Sequence, residues 1–121
     1  MVKRTGPTNP YLKNLIDILK SKSRELNAPI WKAIAEKLEK PTRRRVEVNL
    51  SKIDRYAKEG ETIIVPGKVL AAGKLTKKVN IAAWQFSKQA EEKIKQVRGN
   101  VMTIEELLEK NPKGSYVKII M

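Results

Sequence analysis

Leu12, Leu15, Ile16 and Leu19, extended by Leu26, recur at the three- and four-residue intervals that gather side chains on one face of a helix. Lys13, Asp17, Lys20 and Arg24 fall on the other side. Asn9-Pro10 ahead of them offers a capping side chain and a ring whose φ is already helical. The pattern predicts an amphipathic helix from there to about Leu26. A second helix is predicted from about Pro29, with Ile30, Ile34, Ala35 and Leu38 as its stripe and Pro41 as its stop. The period then shortens to two. Val46-Glu47-Val48-Asn49-Leu50 alternates apolar with polar and predicts a half-buried strand.

Beyond Leu50 a set of punctuation recurs. Ser51 with Asp54 reads as a capping box, Ile53, Tyr56 and Ala57 as a short helical face, and Gly60 as its close. Two strands follow, at 62–65 and 68–72, with a turn between them at Pro66-Gly67. A further strand is predicted at 79–86, after which Ser87 caps a helix running through Ala90, Ile94 and Val97 to Gly99. Val101-Met102 is a short strand, and Thr103 with Glu106 makes another capping box. Ile104, Leu107 and Leu108 face inward before Asn111-Pro112, and 117–120 closes the chain as a strand. Segments 51–60, 87–99 and 103–111 thus repeat one scheme of hydroxyl cap, short helix and Gly or Asn stop. The fold class is α/β: two N-terminal helices, then an irregular succession of strand–strand–helix units. Residues 9–121 form one domain, and residues 1–8, with Lys3, Arg4, Gly6 and Pro7 and little that is apolar, form a basic arm.

Charge sharpens this picture. In 121 residues there are 26 Lys and Arg against 13 Asp and Glu, a formal balance of +13. Such self-repulsion is relieved by a polyanion, and nucleic acid is the usual one. There is neither Cys nor His, which removes disulfides, thiolate metal sites and the commonest general base. No apolar run approaches the roughly 20 residues of a membrane span, and the N-terminus lacks a signal-peptide core, so an intracellular, soluble protein is expected.

The stretch around Gly67, Gly73 and Lys74 invites comparison with a nucleotide-binding loop. Such a loop needs Gly, four residues, then Gly-Lys-Ser/Thr. Here five residues separate the glycines, Leu75 follows Lys74, and Val69-Leu70-Ala71-Ala72 between them calls for burial. The reading that fits is a hairpin-like corner from which Lys68, Lys74, Lys77 and Lys78 project toward an RNA backbone. Arg43-Arg44-Arg45 is a second cluster, whose guanidinium forks can grip phosphate and stack on unpaired bases. Residues 1–45 hold 12 basic and 4 acidic side chains, whereas residues 99–121 hold 3 of each, which suits a molecule with one basic side. Trp31, and Trp84 with Phe86 on one strand face, read as core; nothing favours Tyr11 or Tyr116 as stacking residues. Glu91-Glu92 and Glu105-Glu106 read as exposed helix charge. No nucleophile has an evident base, and nothing calls for a metal, a cofactor or a small-molecule substrate.

Several of these residues carry a resemblance. Thr8-Asn9-Pro10-Tyr11, Trp31, the run from Arg45 to Ile53, Val65-Pro66-Gly67-Lys68-Val69-Leu70 with Gly73, then Ala82-Ala83, Phe86 and Ser87 resemble the archaeal large-subunit ribosomal protein eighteen-e family. Its eukaryotic counterpart is large-subunit protein eighteen, and its fold is related to the C-terminal part of bacterial large-subunit protein fifteen. The Pro-Gly-Lys-Val-Leu…Gly core is the specific part; basic runs alone are not. The resemblance implies a fold of strand–strand–helix turns in a cytoplasmic, ribosomal component bound to large-subunit ribosomal RNA and neighbouring ribosomal proteins, with no membrane. On that reading Arg43, Arg44, Arg45, Lys68, Lys74, Lys77 and Lys78 make the main contact, with Lys3, Arg4 and Asn9 from the arm. A DNA-compacting protein would share the charge, and an enzyme built on Gly73-Lys74 would need ATP or GTP.

Overall fold

The computed structural model describes residues 10–39 and 46–121. Helices α1 (Pro10–Leu26) and α2 (Pro29–Leu38) come first, followed by β1 (Val46–Asn49), α3 (Leu50–Tyr56), β2 (Thr62–Leu70), β3 (Asn80–Phe86), α4 (Lys88–Gln96), β4 (Asn100–Thr103), α5 (Ile104–Lys110) and β5 (Val117–Ile119). The α/β class holds, with two helices leading into strand–strand–helix units such as β2–β3–α4.

Every pairing in the sheet is parallel. β2 is its centre: β3 takes one edge, while β5 (against Thr62 to Ile64) and β1 (against Gly67 to Leu70) share the other end to end. β4 lies outside β3. A parallel sheet needs cover on both faces, and the five consecutive buried residues from Ile63 to Gly67 reflect that. Ile64, Ala82 and Met102 point into a core shared with α1, α2 and α5. Ile63, Val65, Val69, Ile81 and Ala83 point into a second core, with α3, α4, Leu75 and Val79. The result is three layers.

The first core closes around Trp31, which is fully buried and donates its indole N–H to the Pro112 carbonyl at 2.7 Å. α1 ends in a Schellman arrangement: Asn27 takes φ +52°, and the Ala28 N–H donates to the Ser23 carbonyl at 3.1 Å.

The structure corrects several local expectations. Pro66-Gly67 is not a turn but lies inside β2, where the pairing with β3 shifts register between Val65 and Lys68. Proline has no N–H for the ladder, so it belongs at such an irregularity. Gly67 is required because a Cβ there would lie 2.0 Å from the Val46 carbonyl oxygen. The chain reverses instead through residues 71–79, a crossover that returns from the end of β2 to the start of the parallel β3. Ser51 does not cap α3, because the helix already starts at Leu50; its backbone N–H donates to Ala72 at 3.1 Å, and Asp54 is engaged by Thr76. Trp84 and Phe86 do not share a core: Trp84 packs on the α1–α2–α5 side and Phe86 on the other, since alternation breaks near the register shift. At the end of α4 it is Arg98 that takes the left-handed conformation, at φ +62°, with the Gly99 N–H donating to Ile94 at 2.9 Å. Gly99 serves close packing, since a Cβ there would meet the Val79 oxygen at 2.7 Å. The capping boxes fare differently: Ser87 caps α4, and Thr103 with Glu106 caps α5 reciprocally.

Candidate nucleic-acid interface

The crossover 71–79 is built as an extended segment lying along α3. Leu75 and Val79 are buried and Lys77 is half-buried, whereas Lys74, Thr76 and Lys78 are exposed. That period of two is what an extended chain with one face packed must show. Lys74 and Lys78 consequently point to the exterior and Lys77 does not. The Lys77 ammonium donates to the Asp54 and Ala57 carbonyls at 2.5 and 2.9 Å. Lys118 donates to the Tyr56 carbonyl at 2.9 Å and pairs with Glu61 at 3.2 Å. Two cations thus satisfy the carbonyls that a helix leaves open at its C-terminus, where the dipole favours positive charge.

Five further hydrogen bonds hold the crossover. Asp54 accepts from both the N–H and the hydroxyl of Thr76, each at 2.9 Å. The Thr76 N–H is the main cause of a carboxyl held below the ordinary carboxylate range; burial opposes it, and the Thr76 hydroxyl and the Lys77 charge add to the lowering. Lys93 of α4 donates to Ala71 and Gly73 at 2.8 and 3.0 Å. The Gly60 N–H donates to Lys78 at 2.6 Å. Gly73 adopts φ +88°, and a Cβ there would lie 2.3 Å from the Ser51 Cβ, so α3 approaches as closely as only glycine permits. The segment is a loop only by its lack of regular hydrogen bonding.

Lys68 is elsewhere. It sits in β2 between Glu47 of β1 and Gln85 of β3, and since Val69 faces the α3–α4 core, Lys68 faces the opposite side. There, with Trp84 and Gln85, it lines an open cleft of about 500 Å³ toward the C-terminal ends of β2, β3 and β4. The glutamates Glu91 and Glu106 line it as well. Lys74 and Lys78 are therefore both exposed on one crossover, while Lys68 lies in the sheet and faces the other way from Val69. Lys3, Arg4, Asn9, Arg43, Arg44 and Arg45 lie outside the described residues.

Charge divides between the two outer layers. Residues 10–26, 29–39 and 104–110, which supply α1, α2 and α5, hold 7 basic and 7 acidic side chains and balance at zero. Residues 50–61, 71–79 and 87–99, which supply α3, the crossover and α4, hold 10 basic and 5 acidic, a balance of +5. The contrast between residues 1–45 and 99–121 does not mark this division, because α1 and α2 share a layer with α5.

Comparison with known proteins decides the family. A family model described as "Ribosomal protein 60S L18 and 50S L18e" matches residues 2–121. The chain belongs to that family. It is 57% identical over 120 residues to "Large ribosomal subunit protein eL18" of Methanoregula boonei, covering 99% of each chain. The protein of the same name from Archaeoglobus fulgidus is 52% identical, over 94% of this chain and 97% of its own. That of Methanopyrus kandleri is 50% identical, over 96% and 95%. Membership supports a structural ribosomal role. Among the described residues, no helix is long and apolar enough to cross a membrane.

Within the basic layer of this family member, further exposed cations stand beside the crossover: Lys52, Arg55 and Lys58 around α3, and Lys88, Lys95 and Arg98 around α4. Sequence reasoning passed over them because each is diluted by nearby acids along the chain. A count of charge by layer would have found them, but it needs the layers first.

Proposed function

We propose that this chain is a structural constituent of the large subunit of the cytoplasmic ribosome, and that it binds and stabilises large-subunit ribosomal RNA. The observation that carries this reading is the layer of +5 in which the crossover is tied to α3 and α4 with Lys74 and Lys78 outward. A rigid body holding cations at set positions can occupy a place where RNA helices pack closely, neutralising phosphates without spending free energy on ordering a loop. Lys74 and Lys78 contact phosphate, and Lys68 contributes from the cleft with Trp84. Arg43, Arg44 and Arg45 adjoin β1 in the chain, and with Lys3, Arg4 and Asn9 they extend the contact. Lys77 serves it by keeping the crossover against α3. Recognition is of RNA shape rather than of sequence, and the role is structural, without catalysis.

The test is sedimentation of a tagged copy together with crosslinking. The tagged chain is expected in large-subunit particles, crosslinked to ribosomal RNA through the α3–crossover–α4 layer. A chain that never enters particles, or that binds generic DNA duplex as tightly as ribosomal RNA in competition, would overturn the reading in favour of a DNA-compacting protein.

A further inference from the structure

We infer that the groove between α1 and α5 receives a basic segment of a second protein, which inserts an apolar side chain and sets Lys or Arg against Glu105 and Glu109. The inference rests on the ribosomal reading above, which supplies protein neighbours, and it adds where one of them docks and by what chemistry.

The groove measures about 320 Å³, enough for one or two side chains, and Ile18 and Leu26 of α1 with Leu108 and Pro112 give it an apolar floor. Its rim is acidic. Glu105 and Glu109 stand on the α5 side, both exposed, and neither forms an ion pair among the described residues. Lys22 on the α1 side is already paired with Glu25 at 3.2 Å. An apolar recess with charge at its margin is the anatomy of a protein interface, whereas RNA backbone would bring phosphates against these carboxylates.

Charge makes the case specific. α5 holds three Glu and one Lys, a balance of −2 in a chain of +13. Glu105 and Glu106 stand in the first turn of the helix, where the dipole favours them. Glu109 does not. It precedes the last helical residue, where the same dipole disfavours an anion and a cation from outside would offset the cost. The groove also belongs to the layer that balances at zero, not to the basic one. A partner rich in Lys and Arg, repelled by most of this molecule, finds its complement here.

The test replaces Lys22 with p-benzoylphenylalanine in the full-length tagged chain, lets it assemble into large-subunit particles in cells, and irradiates the purified particles. A crosslink to a protein peptide carrying Lys or Arg beside an apolar residue is expected. It should fall roughly tenfold or more when Glu105→Lys and Glu109→Lys are added, while particle incorporation stays unchanged. Should the charge reversal disturb assembly, Glu105→Gln with Glu109→Gln removes the charge alone and should weaken the same crosslink. A crosslink to RNA, no crosslink, or one indifferent to the charge of α5 would overturn the inference. Absence of the parent chain from the particles, read before irradiation, would instead overturn the ribosomal reading and the groove with it.

Discussion

The Asp54 carboxylate accepts both the backbone N–H and the hydroxyl of Thr76, each at 2.9 Å, and so ties the middle of the 71–79 crossover to α3. Asp54→Ala removes both bonds and leaves two donors to water. The expected loss is about 1 kcal/mol, since the site is solvated. Hydrogen exchange at Thr76 should speed up more than exchange in β2; equal acceleration in both would mean that the tie is global rather than local.

The same contact sets a pH dependence. The Asp54 carboxyl is held below its ordinary value chiefly by the Thr76 N–H, and the Glu61 carboxyl chiefly by the Lys58 N–H, which it accepts at 2.9 Å. A carboxyl whose folded pKa is depressed stabilises the fold above its unfolded pKa of roughly 4 and loses that contribution as pH falls through the folded value. Thermal stability should therefore be level from neutrality to about pH 5 and decline below about pH 4. Asp54→Asn should reduce that decline, and a melt series across acid pH reads it directly.

Lys77 and its neighbours should separate stability from binding. Lys77→Ala strips the donor from the carbonyls of Asp54 in α3 and of Ala57 just past it, and should cost about 1 kcal/mol in denaturant unfolding. Lys74→Ala and Lys78→Ala should leave unfolding unchanged. If each meets a phosphate, each should lower the slope of RNA affinity against salt by about 1. For the whole protein, six to ten such contacts correspond to a loss of roughly three to five decades between 50 and 200 mM salt by the duplex-DNA relation. A nearly flat salt dependence contradicts the proposed interface.

Gly67 should tolerate no side chain. Its Cβ would lie 2.0 Å from the Val46 oxygen, against backbone that cannot swing aside, so Gly67→Ala must push β1 away from β2. A loss of about 2 kcal/mol or more is expected. Because β1 follows Arg43-Arg44-Arg45 directly, crosslinking from that run to RNA should weaken as well.

Arg98 makes the opposite case. At φ +62° it occupies the position a glycine fills more easily, and its side chain is exposed. Arg98→Gly should raise stability by about 1 kcal/mol in chemical unfolding. No gain would mean that the Arg98 side chain offsets its own backbone strain.

How far the chain could be read varied with the range of the interaction responsible. The stripe from Leu12 to Leu19, the Thr103–Glu106 box and the Ser87 cap depend on residues within a turn or two, and all form as their spacing predicts. Pro66-Gly67 reads as a turn because that is its local meaning. Inside β2 it answers instead to Val46, whose oxygen occupies the space a side chain would need. Ser51 and Asp54 have the spacing of a cap, yet their partners are Ala72 and Thr76, which meet them only once the crossover lies on α3.

The sequence by itself determined the class of the fold, the surplus of cations, the want of thiol and imidazole chemistry, and the family, because composition, periodicity and motif survive without coordinates. Only the tertiary structure decided which lysines face outward. Lys74, Lys77 and Lys78 are alike on the page, and packing against α3 turns one inward and two outward. It also decided where charge accumulates, since the balance of a face is a sum over segments distant in the chain. Parallel pairing, which carries the chain back over the sheet after β2, is what brings those segments together.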